Sequence, residues 1–261
     1  MLQAKSQDEL KAYQDAAAKT DPAQAEAAAN DFATKYPTSE LRAALYMRVM
    51  NMYAQANNTD KVIDTGRLAI AADPDNPVPL MEVAQTLAET TRDTDLDREQ
   101  RLAEAAKDAH AAIDNVDTGL LVPANADPER VAGAKRTILT NSYDTLAMVD
   151  MSRNDYAAAV GNLQKAIDQS KANPEAVLYL RLSVAQDKLG QLQPALDAAN
   201  KAVQYSKGGS AAQNLAKQQQ ERLQKLIAGQ AGSAGSAGSA AAAPKAGTQA
   251  TPTPGAATTP H

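Results

Sequence analysis

The sequence predicts an all-α protein: an α-solenoid of about five helix hairpins, closed by a C-terminal capping helix and followed by a disordered tail. Three observations carry this. Half of the 44% apolar content is alanine, with one Phe, no Trp and eight Tyr in 261 residues, so stability must come from close helix-to-helix approach repeated many times rather than from a core of large side chains. Asp-Pro and Asn-Pro pairs punctuate the chain at Asp21-Pro22, Asp73-Pro74, Asp127-Pro128 and Asn173-Pro174. Each suits a helix start, with the side-chain oxygen as cap and Pro where no backbone donor is needed. Between these marks apolar residues recur at helical spacing.

The elements follow in order. Hairpins are expected over residues 6–37, 38–74, 77–116, 128–172 and 174–207. In the second, Leu45, Val49, Met52 and Tyr53 form one stripe, the polar NNTD stretch turns the chain, and Val62, Ala69 and Ile70 form the returning stripe. The third carries Leu102, Ala105, Ala106 and Ala109 along its second helix. In the fourth, Tyr143, Leu146 and Ala147 precede a turn, and Tyr156, Ala159, Leu163, Ala166 and Ile167 follow it. The fifth uses Tyr179, Leu182, Ser183, Gly190, Ala195, Ala199 and Ala202. Glu129 and Glu175 place negative charge just after a proline, where the helix dipole favours it.

A last helix, 210–228, caps the stack if Leu215, Leu223, Leu226 and Ile227 face inward, KQQQER faces water and Gly229 ends it. Residues 1–229 then form the helical domain. From 230 to 261 the chain is Ala, Gly, Ser, Pro and Thr apart from Gln230, Gln249, Lys245 and His261, the last two being the only ionisable side chains, a composition that cannot offset chain entropy and reads as a disordered tail. Between the third and fourth hairpins both facing helices are long. The expectation is an extended antiparallel pair, Asp97 to about Val116 against Pro128 to Ser152, in which Ile113 and Val116 meet Val131 and Ile138. The alternative is a loop over 117–134, and Gly133 is the weak point of the pair, since an interior Gly costs about 1 kcal/mol relative to Ala.

Composition excludes several functions. With no cysteine there is no disulfide, thiolate zinc site or cysteine nucleophile. The net charge of -5, with both signs interspersed, gives no basic footprint for nucleic acid. No apolar stretch approaches the roughly 20 residues that cross a bilayer, so no membrane insertion is expected. The opening MLQAKSQDEL has no signal-peptide core. With a leader removed ahead of it the chain would be periplasmic or exported, and otherwise cytoplasmic.

The hairpins resemble the tetratricopeptide repeat, a helix-turn-helix unit of about 34 residues. An aromatic or Leu opens the first helix (Tyr46, Leu80, Tyr143, Tyr179), a small or medium residue follows one turn later (Met50, Ala84, Ala147, Ser183), and Pro74 and Pro174 stand at closing-proline positions. The stretch NDFATKYPTSELRAALY further resembles a variant found in bacterial envelope-assembly and other exported repeat proteins. The pattern departs from the family where Leu87, Asp150 and Gln186 replace the tyrosine seen at Tyr53.

One segment looks like chemistry. Asp93, Asp95, Asp97 and Glu104 stand where a calcium loop places ligands, but Arg98 occupies the position of the turn glycine. The same residues serve a helix start, with Asp97 and Gln100 as a capping box, and that is the expectation. His110 is expected at a helix surface or inter-repeat contact, and no phosphate loop exists. No catalytic residue, metal or cofactor is therefore assigned.

The resemblance implies binding. First helices of such arrays line a concave groove that holds an extended peptide or a helix of a partner. Carried over by repeat position, the groove comprises Met47, Asn51, Met81, Gln85, Asp144, Met148, Leu180 and Val184. The competing reading is that some of these methionines pack between helices. The set is Met-rich, which suits adaptable apolar contacts. It lacks the basic clamp with which family members hold a terminal carboxylate, since Met47, Met81, Asp144 and Leu180 stand there. The expectation is a non-catalytic scaffold for a protein or peptide partner. The alternative is a structural subunit that associates through its terminal repeats, and the sequence does not fix the oligomeric state.

Overall fold

The computed structural model describes residues 3–123 and 125–238, with residues 231–238 described by backbone alone. Among the described residues the chain forms eleven α-helices and no strand: α1 Gln7–Ala17, α2 Pro22–Lys35, α3 Leu41–Gln55, α4 Thr59–Ala72, α5 Pro77–Thr90, α6 Arg98–Asp114, α7 Pro128–Ser152, α8 Tyr156–Gln169, α9 Ala176–Lys188, α10 Leu192–Tyr205 and α11 Ala211–Gly238. Each helix packs on the next, and α1 also meets α3, α5 meets α7 and α9 meets α11. This is a tetratricopeptide-like α-solenoid of five hairpins closed by α11.

The hairpin turns show the repetition most directly. After α3, α7 and α9 the chain passes through one residue in the left-handed region, Asn57 at φ 54°, Asn154 at φ 62° and Gly190 at φ 73°. The following amide then reaches back to a carbonyl five residues earlier: Asn58 to Tyr53 at 3.0 Å, Asp155 to Asp150 at 2.8 Å and Gln191 to Gln186 at 2.9 Å. The closure satisfies carbonyls that a helix end otherwise leaves open, and Asn or Gly is required because other side chains resist positive φ. In two of the three turns the next residue then caps the returning helix, Asn58 accepting from the Lys61 amide and Asp155 from the Ala158 amide.

The Asx-Pro marks are half right as helix starts. Asp21 and Asp127 cap α2 and α7, accepting from the Gln24 and Glu129 amides at 2.9 and 3.1 Å. Asp73, by contrast, ends α4, and α5 begins at Asn76-Pro77, where Asn76 accepts from the Val78 amide at 3.2 Å. Asn173-Pro174 precedes α9 without starting it; the N-cap is Glu175, which makes no side-chain cap bond. Asp97 occupies the N-cap position of α6 but makes no cap bond either, so the capping box with Gln100 does not form.

Alanine supplies more of the buried apolar positions than any other residue type, and the helices approach closely where side chains vanish. A Cβ on Gly66 of α4 would overlap Val83 Cγ2 of α5 and come within 3.1 Å of Met50 Sδ of α3. Polar staples tie successive second helices together. Glu26 of α2 accepts from Tyr53 at 2.6 Å and from Lys61 of α4 at 2.8 Å, and Arg67 of α4 meets Glu104 of α6 through two bonds of 2.7 Å. Burial pushes the Glu26 carboxyl up, but the bonds from Lys61 and Tyr53 more than offset it. The Tyr53 hydroxyl, buried and bonded to that carboxylate, is pushed up to about 12.

The α6–α7 pair is extended as expected. Val116 and Ile138 are buried in one cluster with Leu80, Met81 and Ala112, whereas Ile113 packs instead beside Ala84, Ala109 and Leu146. Val131 lies outside that cluster and lines a cavity of about 540 Å³ with Leu120, Leu121 and Val122. The connection is fastened at its base: a Cβ on Gly119 would overlap the Asp75 carbonyl oxygen, and Lys135 pairs with Asp117 at 2.7 Å.

The capping helix departs from expectation at two points. Leu223 is fully buried, but Leu215 and Leu226 are 54% and 41% exposed. Gly229 does not terminate it, and α11 runs on to Gly238, because a glycine inside a running helix costs only about 1 kcal/mol. The tail expected over 230–261 lies outside the described residues beyond 238.

Candidate functional site

Each first helix buries one side in the stack and leaves the other open, and the open sides define the candidate surface. On α3 the open positions include Met47 and Asn51; on α5 they are Val78, Glu82, Gln85 and Glu89; on α7, Asn141, Asp144 and Met148; on α9, Leu180, Arg181 and Val184. The α5 set is spaced four, three and four residues apart, which places it along one helix face.

Of the residues assigned from sequence, Asn51 is exposed, and Met47, Gln85, Asp144, Met148, Leu180 and Val184 are half-buried. Met81 is different. At 8% exposure it packs with Val116 and Ile138, so it belongs to the interior. The cause is the long α7, which lies directly against α5 and covers Met81. The α5 face is therefore turned by one residue and presents Glu82 instead. Met47 packs against the N-terminal core and accepts at its sulfur from Asn76 at 3.6 Å. Met148 packs against the cluster of Ile63, Val83 and Leu87.

The polar members interact. Gln85 donates to Glu89 at 2.9 Å, and Arg181 of α9 pairs with Asp144 Oδ2 of α7. Asp144 Oδ1 is buried without a donor. Burial raises the Asp144 carboxyl, Arg181 pulls it back, and the charges of Glu175 and Glu89 raise it further. Glu82 is raised by burial and then by Glu89. On the C-terminal side, Gln219 and Arg222 of α11 both address Asp187 Oδ2 of α9. Leu215 and Leu226 share the α11 face of Gln219 and Arg222, at four-three-four spacing, and are exposed rather than in the core. Glu82, Glu89, Arg181, Leu215 and Leu226 were not assigned from sequence. The α5 face could have been found from its four-three-four spacing, and the α11 leucines from their eleven-residue separation, three helical turns that return to one face.

The calcium-like segment is engaged otherwise. Asp93 accepts from Arg98 at 3.3 Å, Asp95 accepts from the Arg92 amide at 2.8 Å, and Glu104 is held by Arg67 on a different helix. Among the described residues no three His, Cys, Asp or Glu side chains gather as metal ligands. His110 is exposed on α6.

No family model matches the chain, and no curated protein matches it closely enough to count as a relative. Solved structures that it is similar to include the MamA protein, at 18% identity over 71% of this chain and 87% of that one with a TM-score of 0.46. Another is BtubC (BKLC) from P. vanneervenii, at 15% identity over 97% and 100% with a TM-score of 0.45. A third is PilW, a type IV pilus biogenesis factor, at 17% over 80% and 98% with a TM-score of 0.39. Similarity of this degree says nothing of function, and the repeat fold rests on the chain's own helices and turns.

Proposed function

We propose that the chain is a non-catalytic interaction scaffold that holds a peptide or helical segment of a partner protein across the open faces of its first helices. The observation that supports this best is the row of half-buried side chains, Met148, Leu180 and Val184 among them, with amide and charged groups interleaved. Such a surface offers apolar area and hydrogen bonds over several successive helices, which is what an extended or helical segment needs. Methionine adapts its shape to more than one sequence. The outward side of α11 weighs against association through the C-terminal end: Asn214, Lys217, Gln218, Glu221, Gln224 and Lys225 are all exposed there, as a polar terminal cap requires.

The test is a crosslinking pull-down from the source cell with the full chain as bait, repeated with Met148→Glu, Leu180→Glu. Each substitution puts a charge into an apolar contact, which costs binding strongly. Proteins captured by the parent and lost with the variant are groove partners. An identical catch from both baits, with unchanged helicity, overturns the proposal.

A further inference from the structure

The open surface is not uniform along the stack. Its middle, on α5 and α7, carries Glu82, Glu89 and Asp144, with Gln85 bonded to Glu89. Among the described residues no lysine or arginine pairs with Glu82 or Glu89. Arg181 is committed to Asp144 Oδ2 and leaves Oδ1 without a donor, and Arg101 is committed to the Thr90 and Thr91 hydroxyls at the end of α5. Burial raises the Glu82 and Asp144 carboxyls; Glu89 adds to both, while Arg181 opposes the shift at Asp144 alone. Toward the C-terminal end the character reverses. Leu180 and Val184 of α9 are half-buried, Leu215 and Leu226 of α11 are exposed, and the charges there are matched, Asp187 with Arg222.

We infer that the segment held on this surface is a basic amphipathic one bound in a fixed direction, its cationic side chains over Glu82, Glu89 and Asp144 and its apolar side chains over Leu180, Leu215 and Leu226. This rests on the groove reading and adds its polarity. A partner lysine or arginine supplies the counter-charge that the chain itself withholds from α5. Charge complementarity of this kind sets register and encounter rate, while the apolar end supplies desolvated contact. An acidic segment, or one ending in a free carboxylate over α5, is repelled.

The probes are two synthetic fluorescent peptides that share a Leu/Ala-rich half and differ in the other half, Lys-rich in one and Glu-rich in the other, titrated into the full chain by anisotropy. The Lys peptide is expected to bind at least about tenfold tighter, and Glu82→Gln, Glu89→Gln should erase most of that preference. Leu226→Asp should weaken the Lys peptide whether or not the glutamates are present. A spin label on the Lys-rich end should broaden α5 amide signals, and one on the Leu-rich end those of α11. A preference that survives the Gln pair, or label effects in the reverse order, overturns the inference. If Leu180→Glu still weakens binding in that case, the groove reading stands and only its polarity falls. If Leu180→Glu and Leu226→Asp leave both peptides unaffected, or neither peptide binds, both fall.

Discussion

Asp108 has the least comfortable position of any acidic residue on the second helices. It lies one turn beyond Glu104 on α6 and is only 5% exposed, and the nearby guanidinium of Arg67 gives its donors to Glu104. Burial pushes the Asp108 carboxyl from 3.8 to about 6; Lys107 and Arg67 oppose the shift and Glu104 adds to it. A carboxyl raised on folding favours the folded state while protonated. Its contribution is full below the unfolded value near 3.8 and is lost as pH climbs through about 6. Asp108→Asn is therefore expected to melt higher than the parent at pH 7 to 8, with the difference closing toward pH 4; a calorimetric series across that range checks it, and a gap that widens on acidification refutes it. Single residues also show where sequence stops being informative. Periodicity placed Leu45, Val49, Leu163 and Leu182 in the interior, and they are buried. It could not decide between Met81 and Glu82 as the outward residue of α5, because one residue of helix phase depends on how α7 lies across it, and that depends on a connection with no repeat pattern.

Helices as units were legible wherever a turn carried its own chemistry. The αL residues Asn57, Asn154 and Gly190 fix three hairpins locally. The start of α5 was less legible, because DPDNP holds two Asx-Pro pairs and either can cap. Packing then chooses, with Asn76 buried at 2% exposure and bonded to Asp73 at 3.2 Å. The α11 leucines were misjudged for a related reason. Four apolar residues on a terminal helix need not all face inward when Ala216 and Leu223 suffice to cover α9 and α10. Helix spacing itself can be tested with two glycines. Gly66→Ala drives a methyl into Val83, and overpacking of this kind costs about 1 to 3 kcal/mol, more than the helix-propensity gain of up to about 1 kcal/mol returns. Gly161→Ala on α8 meets nothing within 4 Å and should be stabilised by that propensity gain alone. Urea melts of both variants are expected to move in opposite directions. Equal shifts would mean that α4 and α5 are not in close contact.

For the whole molecule, stacking means that each hairpin depends on its neighbours and the two ends decide what the stack does next. At the N-terminal end Asp8, Lys11 and Gln14 of α1 are exposed, and the outward face of α11 exposes Asn214, Lys217, Gln218, Glu221, Gln224 and Lys225. Multi-angle light scattering should accordingly give a mass near 27.4 kDa that does not rise with concentration; growth to higher species would instead favour end-to-end assembly. The alanine-dominated interior has a thermal consequence as well. The heat-capacity change on unfolding follows the apolar area exposed, usually about 12 to 15 cal/mol/K per residue. A methyl group uncovers far less such area than an isobutyl or benzyl group. The increment for this chain should fall below that range, so its stability curve is shallow and broad, and folding holds over a wide span of temperature without a high maximum.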